Sequence, residues 1–531
     1  MRLASTNRST RWSSWLFTIA LAGLLIALHN RLYQYAFDDA YIHFRVARNL
    51  LQTGNPYYNT GEMVKVSTSS GWTVFLAVLF GIARLFKIDN NLPVLVGTAN
   101  ALATLCGMLV YTKVMETLLK QRFSSSKKVL FQVPYLALLL PSSVGLMETP
   151  LALLLAGWGI YSLLQSRPAG FAVLGAAAYI RLELSGLLGL AGLFVALRRQ
   201  IRLRDTIGFT AIGFLPLLLF DLYFFQTVVP QSIVAKGIVY SIAWYQPALH
   251  ALLYSLPAVP LCSGLCYLGI GGLLLIIAPL AALAALREGM AVKSFWPALF
   301  YLWSLLVIGG YILGRAFVFD WYIPLYTIPF LVACSLCSVS TEGGRNIVLC
   351  GFLCVLFVMS AISLTSVLYA SVLDPGAYSQ FEPGARVRTY LNVGATLNDE
   401  YPTATRLTSE IGALGYSFRG RILDAAGLAS PGALAFHPMR IPEDRSDGTI
   451  GAIPPGYVKA QTPDLIVSYD TFAQALIDDE VSGQYTVIRI PAYLADDAIY
   501  SRTGLIWGSR YLRVYIRKNL QISERVQALG Q

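Results

Sequence analysis

Phe37-Asp38-Asp39-Ala40-Tyr41-Ile42-His43-Phe44-Arg45-Val46-Ala47-Arg48-Asn49-Leu50-Leu51 follows the first strongly apolar stretch of the chain. Two adjacent carboxylates stand where a membrane span ends and an amphipathic helix begins, and acids at such a boundary need a partner or a task. On a wheel of about 100° per residue, Asp38, Tyr41, Arg45, Arg48, Asn49 and Gln52 share one face, with Ala40, Phe44, Ala47 and Leu51 opposite. The pattern predicts a helix lying along the membrane surface, apolar side down, with one carboxylate and two guanidiniums aimed at a common space. There a carboxylate can take a proton from a hydroxyl while arginines hold a phosphate through paired donors. The plainer alternative is an acid pair at a helix start followed by a solvated charged face.

The rest of the composition fixes the solvent in which this helix works. The chain has 531 residues, of which 56% are hydrophobic and 13% charged, and its mean hydropathy is +0.58. Those values exclude an ordinary soluble globular protein and predict a polytopic α-helical membrane protein. Residues 13–29 read as a retained signal anchor, since no small-residue cleavage site follows them. Arg2, Arg8 and Arg11 precede that span, so the positive-inside rule puts the N-terminus in the cytoplasm and Asp38-Asp39 outside. Residues 71–86 are marginal in length, and crossing there would put Lys113, Lys120, Arg122, Lys127 and Lys128 outside. They are therefore expected to form a second surface-lying or re-entrant helix, with 93–112 as the second true span.

Further spans are expected at 129–140, 149–164, 170–180, 184–197, 207–225, 265–286, 296–313, 321–338 and 347–368. The total is about eleven by the length criterion, and an odd number leaves the C-terminal tail outside. After Tyr369 the sequence turns polar and is punctuated by Gly and Pro. Residues 464–469, 485–490 and 511–518 read as strands and 385–397 as a helix, predicting an extracytoplasmic α/β domain. The expected division is a transmembrane module over 1–368, with a first external loop at 30–92, and a soluble domain over 369–531. The cell inner or plasma membrane is the expected location.

All seven cysteines fall in or beside predicted spans, so no disulfide framework is implied, and Cys334-x-x-Cys337 reads as buried small side chains. His29, His43, His250 and His437 are scattered, without metal-ligand spacing. The net charge of +11 belongs mostly to cytoplasmic flanks and does not point to nucleic acid.

If Asp38 and Asp39 mark a site, other polar groups set among apolar ones should collect at the same level. Glu148, Arg181 with Glu183, Gln231 with Lys236, and Arg315 with Asp320 all stand at predicted outer ends of spans. Singly, each reads as an ion pair, a snorkelling lysine or a cap. Together they predict a cavity with basic groups for a phosphate and acids for a sugar and a base.

These residues also resemble a known family. Asp38-Asp39, Arg45, Arg48-Asn49-Leu50-Leu51, Gly54, Asn59-x-Gly61-Glu62, Val64 and Ser67-Thr68-Ser69-Ser70-x-Trp72-Thr73 resemble the first external loop of the membrane-embedded GT-C glycosyltransferases. The likeness is to the mycobacterial terminal β-(1→2) arabinofuranosyltransferase and its bacterial relatives. It extends through Gly145-Leu146-x-Glu148, Arg181 with Glu183, Val229-Pro230-x-Ser232 and Ala235-Lys236, then Ile411 to Tyr416, Arg421 to Asp424 and Gly427-Leu428-x-Ser430-Pro431. The family's usual Arg-Pro-Glu is Arg181-Leu182-Glu183 in this chain, which loosens the turn.

The resemblance implies transfer of a sugar from a polyprenyl-phosphate donor to a glycan or lipid acceptor at the outer membrane face. No cofactor is required, and a divalent cation is optional. The implied catalytic base is Asp38 or Asp39, and the wheel favours Asp38. Donor phosphate and substrate would be held by Arg45, Arg48, Glu148, Arg181, Glu183, Gln231, Lys236 and Arg315. The competing readings are a transporter or flippase of a lipid-linked sugar, for which the sequence lacks an internal repeat, and a non-catalytic scaffold.

Overall fold

The computed structural model describes residues 6–33, 36–88, 91–198, 201–240, 243–253, 255–257, 267–271, 277, 283, 296–339, 347–373, 382–439, 452–477, 479–491 and 509–531. The protein is a polytopic helical membrane protein carrying a small α/β layer near its C-terminus. Five helices among the described residues are long and apolar enough to cross a bilayer: Leu92–Leu118, Leu203–Phe225, Trp296–Leu313, Asp320–Ser338 and Val348–Tyr369. Five shorter apolar helices accompany them, at Thr18–Leu32, Ser70–Leu85, Thr149–Leu164, Ala169–Ile180 and Leu184–Leu197. Residues 265–286, an expected span, lie largely outside the described residues, and short strands pair antiparallel at Ser255–Pro257 and Tyr267–Gly269.

The opening stretch forms helix α2 (Asp38–Thr53), which follows α1 (Thr6–Leu32). Asp38 and Asp39 occupy its first turn, and Gly54 closes it in the left-handed conformation that a side chain resists. Helix α3 (Ser70–Leu85) packs against α2 and begins at Ser69, whose hydroxyl accepts the Trp72 N–H. Three faces of α2 are covered. Ala40, Phe44 and Ala47 are fully buried, with Phe44 set edge-on to Phe80 of α3. Ile42 and Val46 join Tyr58, Val66, Ile411, Phe418 and Leu428 in a second apolar cluster. The face with Tyr41, Arg45 and Arg48 meets the C-terminal layer at Ala413–Ser417.

That layer holds a five-stranded sheet. Two three-residue strands, Arg406–Thr408 and Ile422–Asp424, pair in parallel, and the first is also parallel to Leu465–Tyr469. Tyr511–Arg517 then runs antiparallel between Leu465–Tyr469 and the edge strand Tyr485–Pro491. The central strand shows why this sheet needs cover on both sides. Leu465, Val467 and Tyr469 belong to the apolar core shared with the helical bundle, whereas Ile466 packs with Leu407, Leu423, Tyr457 and Tyr515 on the other face. Helix Glu382–Glu400 supplies Val387, Tyr390, Val393 and Leu397 to the bundle-facing core.

Candidate active site

The residues of the site come from five separated parts of the chain. Asp39 sits on the edge of α2 that also carries Ile42 and His43, away from the face that carries Tyr41, Arg45 and Arg48. Lys236 comes from the short helix Gln231–Val239, started by Pro230, whose missing N–H costs nothing at a helix start. Glu148 stands immediately before Thr149–Leu164, and Arg181 caps the end of Ala169–Ile180. Tyr322 and Phe319 come from the turn that precedes helix Pro324–Val339.

Lys236 Nζ lies 3.6 Å from Asp39 Oδ2 and 4.5 Å from the centre of the Phe319 ring. Burial opposes the ammonium charge, yet Tyr322, Asp39 and Tyr240 around it hold Lys236 above the ordinary lysine range. Arg181 forms the centre of a second group. Its Nη1 is 2.5 Å from Glu148 Oε1, its Nη2 is 2.6 Å from Glu183 Oε1, and its guanidinium lies over the Tyr322 ring. The Tyr311 hydroxyl also donates to Glu183 at 3.0 Å. Burial works against both charges of the Arg181–Glu148 pair, but the pairing prevails: Arg181 is held well above and Glu148 below its ordinary value. His43 Nε2 lies 4.0 Å from Glu148 Oε2, while its Nδ1 hydrogen-bonds the Ser67 hydroxyl at 2.9 Å. Burial lowers the His43 pKa, favouring a neutral ring.

Three connected spaces surround Lys236. A narrow throat is lined by Asp39, His43, Ser67, Glu148, Lys236 and Tyr322. To one side lies a cavity of about 280 Å³ lined by Arg181, Glu183, Lys236, Tyr311, Arg315 and Tyr322. It shares Thr68, Leu182 and Ile233 with an apolar groove of about 340 Å³ that includes Phe214, Leu218, Val228 and Val229. To the other side lies a cavity of about 240 Å³ beneath the C-terminal layer, where Asp38, Asp39 and Lys236 face Arg386, Ser409, Glu410 and Asp424. In the lining of the first cavity Arg181, Lys236 and Arg315 outnumber Glu183, whereas carboxyl groups dominate the lining of the second.

The expected site residues thus divide. Asp39, Glu148, Arg181, Glu183, Lys236 and Arg315 are brought together around the throat and the cationic cavity. Arg45 is not, contrary to the shared-space expectation. Its guanidinium donates to the carbonyls of Tyr58, Gly415, Phe418 and Gly420 at 2.5–2.8 Å and to Asn59 at 3.4 Å, so it fastens the C-terminal layer to α2. Arg48 lies over the Tyr416 ring at 4.8 Å, again toward that layer. Gln231 donates to the Gly427 carbonyl at 3.2 Å and lines none of these spaces. Asp38 reaches the acidic cavity, but both its oxygens accept backbone N–H groups, from Gly412 at 2.9 Å and Ala413 at 2.8 Å. Burial nevertheless raises its pKa, against the pull of those donors.

Sequence reasoning missed His43, Tyr322, Arg386 and Glu410. Glu410 follows Ser409 at the carboxyl end of the strand Arg406–Thr408, which is too short to mark itself in the sequence, so no local signal singled it out. Among the described residues, no group of three or more His, Cys, Asp or Glu side chains is gathered to hold a metal ion.

A multi-span helical bundle with charged cavities beneath a C-terminal α/β layer defines a polytopic helical membrane protein. The crystal structure of ArnT from Cupriavidus metallidurans in the apo state is similar over 99% of each chain, with a TM-score of 0.52 and 12% sequence identity. That likeness is one of fold. Residues 379–515 match the model of a domain of unknown function, DUF8728. No curated protein matches the sequence.

Proposed function

We propose that this protein is a membrane glycosyltransferase that moves a sugar from a polyprenyl-phosphate donor to a glycan or lipid acceptor at the extracytoplasmic face. The observation that carries the reading is the Asp39–Lys236 contact at the throat, with a cationic cavity on one side and an acidic one on the other. The apolar groove takes the prenyl chain, and the cationic cavity takes the phosphate. The ArnT fold supports transferase chemistry on a lipid-linked sugar, and the sequence resemblance favours arabinofuranose. Residues 1–368 form the catalytic membrane module and 369–531 the outer domain.

Asp39 is the base. Its carboxylate takes the acceptor hydroxyl proton, the acceptor oxygen forms a bond to the anomeric carbon, and the carbon–oxygen bond to the phosphate breaks. The electron pair leaves with the lipid phosphate, whose charge is offset by Lys236, Arg181 and Arg315. His43 and Glu148 hold the far wall of the throat. Asp39 replaces Asp38 in this role because both Asp38 oxygens already accept backbone donors.

The test is transfer by the purified protein in detergent, offered a panel of polyprenyl-phosphate sugars and membrane-derived acceptors, with and without a chelator. One donor is expected to turn over, and Asp39→Asn to lower kcat by about a hundredfold or more, the range for loss of a general base. Full turnover in Asp39→Asn would overturn the base assignment. Loss of turnover with chelator would show that a cation contributes.

A further inference from the structure

The acidic cavity under the C-terminal layer is chemically unlike the donor side of the throat. Five carboxyl groups, Asp38, Asp39, Asp320, Glu410 and Asp424, face it against two cations, Lys236 and Arg386. A second phosphate there would meet repulsion from most of its surroundings. A neutral, hydroxyl-rich ligand would not.

The roof of the cavity comes from the carboxyl ends of two parallel strands. Arg406–Thr408 runs into Ser409-Glu410, and Ile422–Asp424 ends on Asp424. Crevices outside the carboxyl ends of parallel strands are where such sheets bind ligands. Asp424 is occupied as a loop staple, accepting N–H groups from Ala426 and Ala429. Glu410 is placed differently. Its Oε1 is 3.0 Å from Arg386 Nε, its Oε2 accepts the Tyr390 hydroxyl at 2.9 Å, and it keeps partial exposure toward the cavity. A carboxylate beside a guanidinium offers acceptors and donors together, the complement of neighbouring sugar hydroxyls, each of which both donates and accepts. Phe319 and Trp321 stack on each other, with ring centroids 4.5 Å apart, in the opposite wall, giving an apolar surface for a sugar's C–H face.

We infer that the cavity between α2 and the sheet is the acceptor subsite, taking the neutral, polyhydroxylated end of a glycan, with Glu410, Arg386 and Ser409 selecting it. The inference rests on the transferase reading, because Asp39 opens onto both this cavity and the throat. The glycan enters from the side of the α/β layer and presents one hydroxyl to Asp39. The lipid donor approaches from the apolar groove on the other side of Lys236. The outer layer is then a reader of acceptors as well as a cover.

Binding is measured apart from turnover, by equilibrium dialysis of radiolabelled methyl glycosides of neutral pentoses and hexoses, and of their short oligosaccharides, against the full-length protein in detergent. At least one is expected to bind, and Glu410→Gln to weaken it tenfold or more. Ser409→Leu, which adds bulk in the cavity and leaves the Arg386–Glu410 pair intact, is expected to do the same. Thermal unfolding checks that both variants are folded. In the transfer assay both should raise the acceptor KM far more than the donor KM.

Absence of neutral-glycan binding by the wild type would overturn the subsite, as would equal effects on donor and acceptor KM. A wild type that binds glycan at this cavity but neither binds nor turns over any polyprenyl-phosphate sugar would leave the subsite standing and overturn the transferase reading.

Discussion

Asp38 and Asp39 are neighbours in sequence with opposite surroundings. The Asp39 side chain keeps 29% of its exposure and faces Lys236 across the throat. Asp38 is buried, and its carboxylate is bound by the first backbone N–H groups of the turn that starts at Gly412. The two positions should therefore fail in different ways. Asp39→Asn is expected to lower turnover by about a hundredfold or more while leaving the melting temperature close to that of the wild type. Asp38→Asn turns one acceptor oxygen into a donor against a backbone N–H and should cost about 1–3 kcal/mol of stability. Gly412→Ala should share the Asp38 phenotype, because a Cβ there meets the Asp38 backbone carbonyl. Thermal unfolding measured beside turnover checks the contrast, and a stable, inactive Asp38→Asn would reverse the assignment.

At the scale of elements, α2 shows how a correct periodicity can carry a wrong destination. The Arg45 and Arg48 face is real, but it docks onto the C-terminal layer. Arg45 donates to three backbone carbonyls there, those of Gly415, Phe418 and Gly420. Arg45→Ala is expected to cost about 1–3 kcal/mol, the scale for buried acceptors left without their donor, and to loosen the layer. Limited proteolysis should then cut within residues 401–421 at rates at least tenfold above wild type. Arg45→Lys should rescue little, since one ammonium cannot reproduce the planar fork. An unchanged cleavage rate in Arg45→Ala would remove Arg45 as the fastening residue. The apolar face of α2 likewise meets α3 through Phe44 and Phe80, where the sequence pattern pointed it at the bilayer.

For the whole molecule, the charge distribution over the loops predicts that the α/β layer lies outside the cytoplasm. A cysteine introduced at Lys459, half-exposed at the layer's surface, is expected to react with a membrane-impermeant maleimide in intact cells, above the background of the native cysteines. Labelling only after the cells are opened would reverse the topology and move the acceptor cavity to the cytoplasmic side.

Composition and hydropathy alone determined the helical membrane fold. Burial in lipid requires long apolar helices whatever their neighbours, and the strands at 465–469, 485–491 and 511–517 carry the Val, Ile and Tyr that mark them locally. The pairing of Asp39 with Lys236, nearly two hundred positions apart, was legible only as polar groups expected at one level. The strands Arg406–Thr408 and Ile422–Asp424 were not legible, since three residues are too short to show a period. Only the tertiary structure decided which of two adjacent aspartates is bound by backbone N–H groups and which faces Lys236, and that Arg45 fastens the C-terminal layer. The fates of Asp38 and Arg45 depend on which backbone donors and acceptors arrive from residues 412–420, and no local pattern around position 38 contains them.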